Sequence, residues 1–88
     1  MTREFVLTDH ATLEMMRRGL SASVIRQILD RPEQRIPVRP GRDILQSKLD
    51  MEGKTYLVRV IVDVDRTPAE VVTAYRTSKI EKYWRKDT

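Results

Sequence analysis

The apolar positions of this chain change period near residue 33. Before it they follow a helical rhythm. Val24, Ile25, Ile28 and Leu29 recur at helix spacing, Ser21 stands before them as an N-cap, and Pro32 stops the pattern. Upstream, residues 8–19 carry helix punctuation at both ends: Thr8 or Asp9 as N-cap, and Gly19 as the left-handed residue after two arginines. The first 33 residues therefore predict two short helices folded into a tight αα-hairpin.

Beyond residue 33 the rhythm is that of strands. Residues 34–38 form a weak candidate, and Pro37 confines it to an edge. Pro40 and Gly41 predict a turn. In residues 42–51, Asp43, Leu45, Ser47, Leu49 and Met51 share one face and Ile44 takes the other. Glu52-Gly53 reads as a short hairpin turn. Residues 54–64 are the strongest strand, with Tyr56, Val58, Val60, Val62 and Val64 on one side and Leu57 and Ile61 on the other. Apolar residues on both sides predict a central strand covered on both faces. After a turn at 65–69, residues 70–77 form the last strand. There Val71, Thr73 and Tyr75 alternate against Val72, Ala74 and Arg76. Ser78-Lys79-Ile80-Glu81 has the form of a capping box and predicts a final short helix. On it Lys79, Lys82 and Lys86 fall within one arc, while Ile80 and Trp84 dock to the sheet.

The resulting order is ααββββα with an antiparallel meander. This is an α+β class: an N-terminal helical hairpin packed on a four-stranded antiparallel sheet, with a short C-terminal helix. Eighty-eight residues suit one domain, taken as 1–88.

Composition narrows the chemistry. The chain has no cysteine and one histidine, so disulfide scaffolds, thiol nucleophiles and cysteine-based metal sites are excluded. Neither a metal site nor a cofactor is expected. No apolar run reaches membrane-spanning length and the N-terminus lacks a signal segment, so the expected location is cytoplasmic, away from membranes. The net charge of +4 is concentrated. Residues 76–86 hold five of the 17 basic side chains (Arg76, Lys79, Lys82, Arg85 and Lys86) against one of the 13 acidic ones, Glu81. A local basic patch points to an anionic partner.

The lone histidine, His10, falls in the first turn of the first helix. Glu14 and Arg17 share its polar face, and Arg18 lies at the edge of that face. Cleaving RNA through its own 2′-hydroxyl needs a base, an acid for the leaving 5′-oxygen, and cations for the growing charge, all of which side chains can supply. Here His10, Arg17 or Arg18, Thr73, Tyr75, Arg76 and Lys79 are the available groups.

His10-Ala-x-x-x-Met15-x-x-Arg18-Gly19-Leu20-Ser21, the following Pro32-Glu33, and Val71-Val-Thr-Ala-Tyr-Arg-Thr resemble the pattern of a bacterial domain-of-unknown-function family, number four-two-five-eight. The resemblance spans residues 8–84. The family looks related to the BrnT and RelE toxins of toxin–antitoxin systems. By that resemblance the sheet is curved in the RelE/BrnT manner, and the activity is metal-independent endoribonuclease action. The carried-over catalytic positions are His10, Arg18, Thr73, Tyr75 and Arg76; the basic residues Arg17, Lys79, Lys82 and Lys86, read from the charge pattern, are the nucleic-acid-binding candidates. RNA and an antitoxin protein are the implied partners. One position departs: Glu14 stands where the family often has arginine, and an acid there weakens the attraction for phosphate. The alternative is a non-catalytic module of the same fold that binds RNA or protein. A third reading is a small interaction protein that dimerises through a sheet edge. No oligomeric state is implied.

Overall fold

A computed structural model describes residues 4–86. The elements are β1 (Phe5–Leu7), α1 (Asp9–Arg17), α2 (Ala22–Asp30), β2 (Gln34–Arg39), β3 (Arg42–Met51), β4 (Lys54–Asp63), β5 (Ala69–Thr77) and α3 (Ile80–Tyr83). The strands form one sheet in the order β1-β5-β4-β3-β2. β2, β3, β4 and β5 pair antiparallel, whereas β1 joins β5 in parallel.

This corrects the expected architecture in two ways. The sheet is five-stranded and mixed, not four-stranded and antiparallel, because a strand precedes the helices. Phe5-Val6-Leu7 is too short to show a period, and its partner strand lies at the far end of the chain. A local reading of periodicity cannot detect such a pairing. Nor do α1 and α2 pack as a tight hairpin. α1 lies along β5 and α2 touches β3 and β4, while the two helices make few contacts with each other. The link between them dips into the core at Leu20, which is buried.

The helix ends follow the sequence. Thr8 caps α1, its hydroxyl accepting from Ala11 N–H at 3.1 Å. It also donates to the Val71 carbonyl at 3.0 Å, which fastens the start of α1 to β5. Gly19 has φ +67°, the left-handed conformation that ends a helix at little steric cost for glycine. Ser21 caps α2 by accepting from Val24 N–H. At the C-terminus the expected short helix forms, but not through the expected capping box. The N-cap of α3 is Lys79, without a side-chain cap bond, and the helix ends at Tyr83. Lys86 therefore lies outside any helix, and the arc of three lysines does not form.

One face of the sheet carries the core. Val58, Val60 and Val62 of β4, Leu45 of β3, and Val71 and Ala74 of β5 pack with Ala11 and Met15 of α1 and Ile25 and Ile28 of α2. Val71 and Ala74 cannot share a face in a regular strand, since successive side chains alternate. A bulge resolves this: Ile61 pairs with Thr73 but Val62 pairs with Val71, leaving Val72 as the extra residue. The bulge corrects the expected alternation of the last strand. Ala74 and Arg76 turn toward the helices. Thr73 and Tyr75 turn to the opposite face, beside Leu57, Arg59 and Ile61 of β4.

That opposite face is covered in part by α3 and the residues after it. Leu57, on that face, is 0% exposed. β4 is thus covered on both sides, as its sequence predicts.

Candidate functional site

The expected site residues fall into three groups, of which the second, at Arg76, reaches the end of α1 beside Gly19. His10 is exposed in the first turn of α1 and makes no hydrogen bond or ion pair among the described residues. It does not engage Glu14. That carboxylate is buried, and both its oxygens are occupied: Oε2 by Arg17 Nη1 at 3.0 Å and Oε1 by Arg18 Nη2 at 2.9 Å. The acid that was expected to sit beside His10 instead neutralises the helix arginines.

Arg76 forms the second place. It lies on the helix-bearing face, with its guanidinium carbon 4.7 Å from the Tyr56 ring centroid and Nη1 3.5 Å from Glu52 Oε1. Arg76 and Tyr75 are neighbours in sequence, but the pleat sends them to opposite faces of the sheet.

The third place gathers the rest. Arg18, at the end of α1, reaches over the unpaired part of the β5 edge and donates from Nη1 to the Ala74 carbonyl at 2.9 Å. Its guanidinium carbon is 6.0 Å from the Tyr75 ring centroid. Tyr75 meets Tyr83 edge to face, with centroids 6.5 Å apart and planes at 75°. Lys82 Nζ lies 5.3 Å from the Tyr83 centroid. Thr73 sits two residues before Tyr75 on the same face. Of the remaining candidates, Arg17 is exposed on α1, and Lys79 and Lys86 are exposed around α3.

At the centre of this group is a residue the sequence did not single out. Arg59, on β4, is 8% exposed. Its Nε donates to Gln46 Oε1 at 2.8 Å and its Nη1 donates to the Tyr75 hydroxyl at 2.6 Å. Its guanidinium carbon is 4.3 Å from the Tyr83 centroid and 5.8 Å from that of Tyr75. Gln46, fully buried, donates in turn to Gln34 Oε1 at 2.8 Å and to the Tyr83 carbonyl at 3.2 Å. Gln34 donates to the Arg85 carbonyl at 2.6 Å and accepts from Arg85 N–H at 3.0 Å. Two glutamines thus hold the segment that carries Tyr83 onto the sheet. Lys48 Nζ, 4.0 Å from the Trp84 centroid, adds a cation–π contact along the same segment.

The signal for Arg59 was present in the sequence: a charge inside the most apolar strand, on the Leu57 and Ile61 face. The periodicity of β4 drew attention to its valines and left that charge unexamined.

Residues 7–79 match DUF4258, a domain of unknown function. The chain belongs to the DUF4258 family. The match runs from Leu7, the last residue of β1, through β5 and stops before α3, so Arg59 and Tyr75 lie inside it and Tyr83 lies beyond. It reaches this family and not the BrnT or RelE toxins. No curated protein and no solved structure matches this DUF4258 protein.

The titration behaviour of the described groups singles out a different part of the fold. Hydrogen bonding to Arg42 holds the Asp63 carboxyl below the ordinary carboxylate range, and the Arg42 guanidinium is correspondingly raised. The pair is bidentate, at 2.6 and 3.1 Å. The Asp63 carboxylate is thus taken up by Arg42 in a structural pair. Among the described residues no helix is long and apolar enough to cross a membrane.

Proposed function

We propose that this DUF4258 protein is an RNA-binding module that takes a single strand across the face holding Tyr75, Arg59 and Tyr83. The observation that carries this is the cluster itself: two tyrosine rings with Arg18, Arg59 and Lys82 placed over or beside them. Aromatic rings offer sequence-tolerant stacking to unpaired bases, and neighbouring cations attract the phosphates between them. A duplex presents no free base faces, so the cluster favours a single strand. The net charge of +4 works in the same direction. The resemblance to ribonuclease toxins makes RNA the ligand to test first.

Binding is favoured over cleavage because the expected catalytic set is divided. His10 stands alone on α1 and Arg76 lies on the other face. One observation keeps a cleavage reading in view: Thr73, Tyr75 and Arg18 share the cluster side of β5. If cleavage occurs, it belongs there and not at His10.

The test uses a fluorescein-labelled, unstructured RNA twelve-mer and the full chain. Anisotropy reports binding, and a denaturing gel of the same samples reports integrity. Stacking contributes about 1–3 kcal/mol per base, so Tyr75→Leu is expected to weaken binding about tenfold or more while His10→Ala leaves it unchanged. The RNA stays intact in every sample. Equal binding by the folded Tyr75→Leu variant would refute the assignment of this face. Cleavage lost in His10→Ala would restore the nuclease reading centred on His10.

A further inference from the structure

The described chain buries three charged side chains: Glu14, Asp63 and Arg59. Glu14 is paired with Arg17 and Arg18, and Asp63 with Arg42. Arg59 has no carboxylate within ion-pair distance among the described residues. Removing a charge from water is costly unless an opposite charge or a full set of hydrogen bonds compensates. Arg59 has only part of such a set. Nε is bonded to Gln46 and Nη1 to Tyr75, while Nη2 has no hydrogen-bond partner among the described residues. Among the described residues no buried side-chain nitrogen or oxygen is left without a hydrogen-bond partner, so Nη2 keeps some contact with solvent. The guanidinium is held rigidly from behind and opens to the surface through one nitrogen.

A second free donor stands next to it. The Tyr75 hydroxyl accepts from Arg59, which leaves its own O–H hydrogen without an acceptor among the described residues. The 2.6 Å contact fixes these two donors side by side. Lys82 borders the same Tyr83 ring that Arg59 faces, and Arg18 borders the Tyr75 ring. Glu14 offsets the charge of Arg18, whereas Arg59 and Lys82 have no carboxylate partner among the described residues.

We infer that Arg59 Nη2 and the Tyr75 hydroxyl form an oxyanion site that takes a phosphate group. The inference rests on the reading of this face as an RNA surface and names the atoms that hold the anion. Phosphate suits the donors better than carboxylate does. The side-on fork, Nε with Nη2, by which arginine commonly grips a planar carboxylate is closed, because Nε is held by Gln46. A tetrahedral anion can instead give one oxygen to Nη2 and another to the hydroxyl. An internal phosphodiester and a terminal phosphomonoester share this chemistry.

The experiment follows the Arg59 Nε–Hε resonance of the isotopically labelled full chain by NMR. Inorganic phosphate is titrated at constant ionic strength against chloride, with acetate as the planar control. The expected result is a saturable shift with phosphate, and none with chloride or acetate. In the variants, binding is followed by the backbone amide shifts of residues 59 and 75; Arg59→Lys is expected to weaken phosphate binding at least tenfold, and Tyr75→Phe about threefold. A resonance that responds to all three anions alike would overturn the site. So would unchanged phosphate binding in folded Arg59→Lys; if that variant fails to fold, the wild-type titration and Tyr75→Phe decide.

RNA oligomers with a 5′-phosphate or a 5′-hydroxyl then identify the source. Displacement of phosphate by the phosphorylated oligomer alone assigns a terminal phosphate, and equal displacement by both assigns the phosphodiester. RNA binding that leaves Arg59 unshifted would remove the site and spare the RNA reading. Saturable phosphate binding with no RNA binding would do the reverse.

Discussion

Replacing Gln46 with leucine tests whether the glutamine network holds the C-terminal segment over Arg59. Gln46 is 0% exposed, and its amide accepts from Arg59 Nε and donates to Gln34 and to the Tyr83 carbonyl. The bond from the charged donor contributes roughly 1.5–3 kcal/mol and each neutral bond about 1, so the gross loss is about 4 kcal/mol. A buried leucine offsets about 2 kcal/mol of that through apolar burial. The net cost of about 2 kcal/mol corresponds to a fall in Tm of roughly 10 °C for a domain of this size. Circular dichroism at 222 nm measures the fall. Trp84, the only tryptophan, gives an independent readout, because it packs against Lys48 on the segment that Gln46 holds. In Gln46→Leu its emission should move to the red at a temperature where the sheet is still folded. A Tm within about 2 °C of wild type, with unshifted emission, would refute the account of the network.

Three further outcomes follow from the same contacts. Glu14→Gln frees Arg17 and Arg18 from their shared carboxylate and should tighten RNA binding several-fold in low salt, an increase that fades as salt is raised; unchanged affinity in low salt would count against a role for Arg18. The Asp63 carboxyl is held low by Arg42, so its contribution to stability is complete above the unfolded carboxylate pKa of about 3.9 and is lost as pH falls through the lower folded value. Acid denaturation should therefore show a step that Asp63→Asn removes, and an identical acid limb in that variant would contradict the assignment. Glu52 sits in the β3–β4 hairpin at φ +55°, beside Gly53 at φ +77°, a conformation that Asn adopts more readily than Glu. Glu52→Asn should raise stability by about 0.5 kcal/mol, measured by urea denaturation. A loss would mean that the ion pair to Arg76 outweighs the backbone effect.

Much of this fold was legible in local patterns, and its errors share one cause. Ser21, Thr8 and Gly19 announced the helix ends, and the valines of β4 announced the central strand. β1 was missed because three residues carry no period and its partner strand is remote in sequence. The bulge at Val72 was missed because alternation along one strand says nothing about register with its neighbour. That single extra residue decides the site: it keeps Val71 in the core and turns Tyr75 to the Arg59 face. The same pleat separates Tyr75 from Arg76, which adjacency in sequence had joined. The divided site thus follows from pairing geometry, which one strand read alone does not contain. Arg18, Thr73, Tyr75 and Lys82 were the candidates that the fold did bring together.

The most direct test of the RNA-binding account is a map of where RNA touches the protein. Amide chemical shifts of the full chain are followed as an unstructured RNA twelve-mer is added. The account predicts that the perturbed residues centre on Arg59, Thr73, Tyr75 and Lys82 to Tyr83, with His10 and the exposed face of α2 unmoved. Perturbations confined to α1 around His10, or to the Arg76 and Tyr56 side of the sheet, would contradict it.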